Sequence, residues 1–398
     1  MARRTTTLFP DCCVGWFGNL VDTATERCRC ASLAFIRDFC SDCAGADSKT
    51  AAYGLIGTDL VMAPAIPSNT ARAGGVVYPI AKSIAQAYGS DPQNKTERKI
   101  GSFLTLSIFQ GNVITSAMFL TAMAANPLAV KLAGQAGIEI SWGQWALAAI
   151  VPGLVSLAVI PALLYWLYPP EIKSTPDAAR MATAKLQEMG PITVNEWMMS
   201  AVFVLLLVLW IFGQSLGLDA TTAALVGLGL LLVAGVLTWQ DVINETGAWD
   251  TLVWFAALVM MASFLNELGL IPWFTATMST LVGGMNWIVA FGVLSLLYFY
   301  SHYLFASNTA HVSAMYAAFL AVAIAAGAPP VLAALVLGFF SSLFSSMTHY
   351  GTGPAPIFFG SGYVGMGEWW KMGALISVIN VVIWLSVGTL WWKVIGLW

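Results

Sequence analysis

Cysteine disappears from this chain early. All six cysteines (Cys12, Cys13, Cys28, Cys30, Cys40, Cys43) lie within the first 43 of 398 residues. A disulfide scaffold for the body is therefore excluded, and Cys40-x-x-Cys43 has no nearby His and no partner spacing that fits a zinc site. Charge is also scarce: 9% of residues are charged, against about 25% in a soluble domain. From Leu186 to Trp370 there is neither Lys nor Arg. That stretch can hold a negative ligand only through hydroxyls, amides, helix N-termini, histidine or a bound cation, and no basic run anywhere suits nucleic acid. The chain has three histidines and no His-Glu-x-x-His, and nothing positions His349 beside a serine as a dyad, so an intramembrane enzyme is not the reading taken.

Apolar residues are abundant. Hydrophobic residues make up 58% of the chain and its mean hydropathy is +0.77. Water cannot be the solvent for most of it, and an all-helical, multi-pass protein embedded in a lipid bilayer is predicted. Apolar stretches occur at 53–87, 101–123, 142–168, 196–215, 220–238, 248–268, 272–306, 310–326, 331–347 and 373–396. The segment 170–195 is the hydrophilic linker of the body, with Lys173, Arg180 and Lys185 favouring the cytoplasmic side and a surface helix expected at 176–189.

One polar phrase occurs twice. Ser68-Asn69-Thr70-Ala71-Arg72 is echoed by Ser307-Asn308-Thr309-Ala310-His311. Each copy is followed by an apolar segment that breaks at proline: Thr121 to Pro127 after the first, His349 to Pro356 after the second. Two copies of one device point to an inverted-repeat transporter with two re-entrant hairpins and broken helices, its substrate held between the repeats. A hairpin tip offers free N–H groups at a helix N-terminus, to which Ser, Thr and Asn add donors for a carboxylate. Thr352, and Thr121 on the other break, are further candidate ligands. Arg72 and His311 follow the two phrases at equivalent places. Placed on either side of a dianion, they would supply built-in positive charge and favour exchange of one anion for another over sodium-driven uptake. The alternative for Arg72 is a partner carboxylate such as Asp59, and for His311 a packed histidine. Asp59, Asp219, Asp250 and Glu267 are read as interfacial, without a role.

The predicted organisation is 49–169 as the remainder of a first repeat, 170–195 as linker and 196–398 as a second repeat. Residues 1–48 lack any apolar run of about 18 residues and are read as a Cys-rich segment foreign to the fold. The first repeat is expected to be N-terminally incomplete, without the entering arm of its hairpin.

The motifs Pro67-Ser-Asn-Thr-Ala-Arg-Ala-Gly-Gly75, Thr115 to Pro127, Ala306-Ser-Asn-Thr-Ala-His311 and Thr348-His-Tyr-Gly-Thr-Gly-Pro-Ala-Pro356 resemble those of the divalent anion/sodium symporter family, the dicarboxylate carriers of the solute carrier 13 type. The branch they resemble most holds citrate/succinate antiporters and 2-oxoglutarate/malate translocators. The resemblance covers roughly residues 50 to 398. It implies two inverted repeats, an elevator motion, a homodimer and a plasma (inner) membrane setting. It also implies that Ser68, Asn69, Thr70, Ser307, Asn308, Thr309, Thr352 and Pro354 touch the carboxylates of succinate, malate, 2-oxoglutarate or citrate. In sodium-coupled relatives the tips hold sodium, which would put Asn69 and Asn308 on the ion. A sodium-coupled symporter and an inactive truncated remnant are the competing readings, and no other cofactor is implied.

Overall fold

The computed structural model describes residues 47–175, 191, 193–213, 217, 218, 220–244 and 267–398, with isolated positions between 249 and 265. The cysteines, the surface helix expected at 176–189, Asp219 and Asp250 lie outside the described residues, as does most of the span at 248–268. The described residues are helical, joined once by an isolated bridge between Asp47 and Ser174. Five helices among them are long and apolar enough to cross a membrane: Trp142–Leu167, Val194–Phe212, Trp287–Leu304, Asn308–Ala325 and Met366–Val394.

Asp47 starts the first helix, α1 (Ser48–Met62), by accepting from the Thr50 amide at 2.8 Å, as an N-cap carboxylate should. The chain then turns at Pro64 and Pro67, passes the first Ser-Asn-Thr, and winds into a π-helical turn (Ala71–Val77) that leads to α2 (Tyr78–Ala87). The expectation that this hairpin lacks its entering arm is corrected here, because α1 is that arm. It was missed because the helix is short, 15 residues, and starts at the edge of the Cys-rich segment.

Next come α3 (Gly101–Met118), α4 (Ala125–Gln135) and α5 (Trp142–Leu167). The second half holds α6 (Val194–Phe212), α7 (Ala220–Val233), α8 (Leu270–Val282) and α9 (Trp287–Tyr300). The second Ser-Asn-Thr follows, then a second π turn (Val312–Tyr316), α10 (Ala317–Ala325), α11 (Pro330–Leu343), α12 (Pro354–Gly360) and α13 (Met366–Ile383).

Two helices form the centre. Every residue of α3 is buried, as is α11 from Leu332 to Leu343. A helix without a polar face belongs inside a larger body, and here α3 lies against α1, α5 and α11, while α11 also lies against α4 and α9. Each ends in one 3₁₀ turn, Leu120–Ala122 or Phe344–Ser346, before the backbone becomes irregular. By contrast, α6 buries only Val202, the signature of a helix facing lipid or another chain.

The long span α5 carries Pro152 and Pro161 in its interior. Pro152 has no N–H for the Ala148 carbonyl. The Trp392 indole donates to that carbonyl at 2.9 Å, supplying the donor that proline lacks, and Trp391 donates to the neighbouring Leu147 carbonyl at 2.8 Å. Trp392→Phe removes the donor at nearly constant volume. We expect a loss of about 1–3 kcal/mol, read as a lower thermal-unfolding midpoint in detergent. An unchanged midpoint would mean that the carbonyl finds another donor.

Candidate functional site

Both tips are capped alike. Ser68 Oγ accepts from the Ala71 amide at 3.2 Å, and Ser307 Oγ from Ala310 at 3.5 Å. Burial follows the same order along each: the serine is exposed, the threonine half-buried, and Arg72 or His311 buried. Each π turn comes directly after its tip. A π turn takes in one residue more than an α turn and is common at functional sites; nothing in the sequence announced it.

Each tip reaches the break of the other half. Asn69 Nδ2 donates to Thr352 Oγ1 at 3.1 Å. Beside it, Thr70 approaches Gly353 so closely that a Cβ there would lie 2.1 Å from Thr70 Oγ1. Pro354 opens α12, which packs on the first π turn. Asn69, Thr70, Thr352 and Pro354 therefore sit in one place. In the mirrored contact, Asn308 Nδ2 lies 3.7 Å from Met123 Sδ on the first break. It donates to Ser345 Oγ at 2.7 Å and to the Ser341 carbonyl at 3.0 Å. Asn308 Oδ1 is buried without a protein hydrogen-bond partner. Ser307 and Thr309 flank it on the exposed side of this tip.

Arg72 is wholly buried and uses its charge internally. Its Nε lies 2.8 Å from Asp59 Oδ1. Nη1 donates to the Ile66 carbonyl at 3.0 Å and the Ala122 carbonyl at 2.9 Å, and Nη2 to Ser116 Oγ at 2.8 Å. Asp59 in turn accepts from Asn112 Nδ2 at 3.1 and 3.2 Å and from Thr115 Oγ1. The reading of Asp59 as interfacial is thus corrected: it is fully buried and neutralises Arg72. The charge on Arg72 is spent on Asp59 and is not left over for a ligand. Asp59 was weighed as a partner in the sequence, but Asn112, Thr115 and Ser116 were missed, because polar residues on a buried helix look like ordinary packing.

His311 sits at the equivalent place in the second half, with Nε2 3.0 Å from Ser301 Oγ and Nδ1 3.1 Å from His302 Nδ1. His302, which the sequence reading passed over, reaches the Gly351 carbonyl of the second break at 2.9 Å. The remaining candidates have structural tasks. Thr121 donates to the Pro64 carbonyl at 2.8 Å, His349 accepts from Trp370 at 3.2 Å, and Glu267 is exposed.

Two expectations follow. Arg72→Met or Asp59→Leu alone leaves a buried charge uncompensated and should cost about 3–5 kcal/mol, while the double variant should lose less than either single one. Chemical unfolding in detergent measures this, and additive losses would refute a dedicated pair. Gly353→Ala should lower the unfolding midpoint, and Thr70→Ala in the same chain should recover most of it by removing the clashing hydroxyl.

The family model described as "Sodium:sulfate symporter transmembrane region" matches residues 39–398. The chain is 59% identical over 368 residues to the "Putative malate transporter YflS" of Bacillus subtilis (strain 168), covering 92% of this chain and 76% of that protein. It is 55% identical over 357 residues to "Dicarboxylate transporter 1, chloroplastic" of Spinacia oleracea, covering 89% of this chain and 63% of the relative, less than two thirds of its length. The "Inner membrane protein YbhI" of Escherichia coli (strain K12) is 41% identical over 348 residues, 87% of this chain and 72% of that one. Among solved structures, the YdaH transporter of Alcanivorax borkumensis matches with a TM-score of 0.58 at 12% identity, over 99% of this chain and 93% of that one. At that identity the likeness shows a shared fold.

Proposed function

The chain belongs to the sodium:sulfate symporter transmembrane family, a family of membrane transporters and not of enzymes, and from that premise we propose that it exchanges di- and tricarboxylates across a bacterial inner membrane. The names of the relatives, dicarboxylate and malate transporters, support the substrate class. The proposed ligands are Ser68, Asn69, Thr70, Ser307, Asn308, Thr309, Thr352 and Pro354. They bring hydroxyls, amides and helix N-termini to a carboxylate, the donors to expect where Lys and Arg are missing.

One observation carries the choice of exchange. Arg72 is ringed by a carboxylate, two backbone carbonyls and a hydroxyl. Such a set of hard oxygens suits a small cation, and a tethered guanidinium already fills it. The chain thus carries at this tip the positive group that a sodium ion would bring. In the second half the imidazoles of His311 and His302 take the matching position. A carrier whose tips already hold these groups needs no sodium to complete them, which favours exchange over sodium-driven uptake. The crossing itself is proposed as an elevator motion, hairpins and breaks moving as one body against the other helices. A second copy would seat on the sparsely buried face of α6, giving a homodimer. The two repeats of the sequence reading, 49–169 and 196–398, remain the proposed division.

The second reading is sodium symport. The unpartnered Asn308 Oδ1 favours it, since a buried amide oxygen beside a tip is a natural ligand for sodium; Asn69 would be its counterpart.

Counterflow decides between them. Proteoliposomes are loaded with unlabelled succinate and offered labelled succinate, with and without sodium. Exchange predicts transient accumulation that is independent of sodium and lost in His311→Ala. Accumulation only with sodium would establish symport. No accumulation of succinate, malate, 2-oxoglutarate or citrate would end the transport reading for this chain.

A further inference from the structure

The three contacts of the buried histidine pair can be satisfied in two ways that differ by one proton, according to where the Ser301 hydroxyl points. The Gly351 carbonyl can only accept, so His302 Nε2, 2.9 Å away, carries a hydrogen. Ser301 donates its one hydroxyl hydrogen to the Tyr298 carbonyl at 2.8 Å. With the hydroxyl so turned, its oxygen accepts from His311 Nε2 at 3.0 Å, and that nitrogen is protonated too; turned the other way, Ser301 donates to Nε2 and the pair is neutral. The two Nδ1 atoms face each other at 3.1 Å. Without a hydrogen between them, two lone pairs would be opposed. One hydrogen there completes the set, for three ring hydrogens in all where two neutral imidazoles hold two. The pair therefore bonds fully in this arrangement as a singly charged unit.

The surroundings suit such a unit. Phe344 stacks on His302 at 3.8 Å between centroids and on His311 at 4.6 Å. Phe305 covers His311 at 4.4 Å, nearly parallel, and Tyr298 lies at 4.7 Å. Ring faces attract a cation, the more so away from water. The titratable groups on the packed elements have their own partners: Tyr298 bonds Ser341 Oγ, and Tyr316 donates to the Ala334 carbonyl. No Asp, Glu, Lys or Arg is among the hydrogen-bond or ring partners of either imidazole. Within the protein, this charge has no counter-ion of the kind Asp59 gives Arg72.

We propose that His302 and His311 form a one-proton site and that the proton travels with the carboxylate. The proposal rests on the transport reading above, since the dianion is the missing counter-charge. Loading takes a proton from water on the loading side into the Nδ1–Nδ1 contact. The Ser301 hydroxyl, which in the neutral pair must donate to His311 Nε2, turns to the Tyr298 carbonyl. Release on the far side reverses both movements. By linkage, anion and proton each strengthen the binding of the other by the same factor.

The chain holds three histidines, so labelling histidine with ¹⁵N gives three imidazoles, and His349→Gln assigns the third. Mixing purified protein with saturating succinate in weak buffer should take up about one proton per chain. The His302 and His311 signals should move together towards imidazolium while His349 stays. Succinate binding without proton uptake, or uptake that survives in both His302→Gln and His311→Gln, would overturn the proposal. If succinate does not bind at all, the transport reading fails, and titration of the unliganded protein still decides the pair. A joint shift with one proton per pair supports the one-proton site; two independent titrations refute it.

Discussion

The ion pair between Asp59 and Arg72 holds the first half together. It ties the entering arm of one hairpin to the start of the returning arm, and through the Ala122 carbonyl and Ser116 it ties both to the centre of the molecule. A lone charge at this depth would be untenable. Here almost every donor of the guanidinium and both carboxylate oxygens are engaged, which makes a buried pair tolerable. Irregular backbone at the first tip and the first break is permitted for the same reason. Their free carbonyls, Ile66 and Ala122, are closed by Arg72 where water is absent.

The second half meets the same need with different chemistry. Where the first tip has a permanent cation and a carboxylate, the second has two imidazoles and a ring of aromatic faces. Both solutions satisfy a carbonyl of a break, Ala122 through Arg72 and Gly351 through His302. The halves are also interlocked, since Asn69 meets Thr352 and Asn308 approaches Met123. Each tip meets residues from the other half of the chain as well as its own. A chain with one repeat would leave both tips without their opposing surface.

Much of this was legible from a few residues. The repeated Ser-Asn-Thr located both tips, and the prolines after them located both breaks; proline alone would not have done so, since Pro152 and Pro161 lie inside α5. Long apolar stretches gave several spans to within a few residues, 142–168 and 196–215 among them, since hydrocarbon thickness sets their length; the stretch 272–306 is instead two helices, Leu270–Val282 and Trp287–Tyr300. Three features were not legible. The first hairpin arm was hidden because it is short and starts at the edge of the Cys-rich segment. The crossing of tips and breaks is a contact between residues nearly three hundred positions apart, and no local pattern encodes it. His302 carried no motif; it matters because the chain folds it against His311.

The attachment of the first tip is uneven along its length. Its outer end is fastened by the neutral hydrogen bond from Asn69 to Thr352, worth about 0.5–1.5 kcal/mol net, and by the close packing of Thr70 on Gly353. A few residues later Arg72 is fastened by four bonds and a charge. Thermal energy releases the first readily and the second hardly ever. The tip is accordingly held lightly at Asn69 and firmly at Arg72. Whatever loosens the outer end meets one hydrogen bond and the Thr70–Gly353 packing, and whatever moves the inner end meets the buried ion pair.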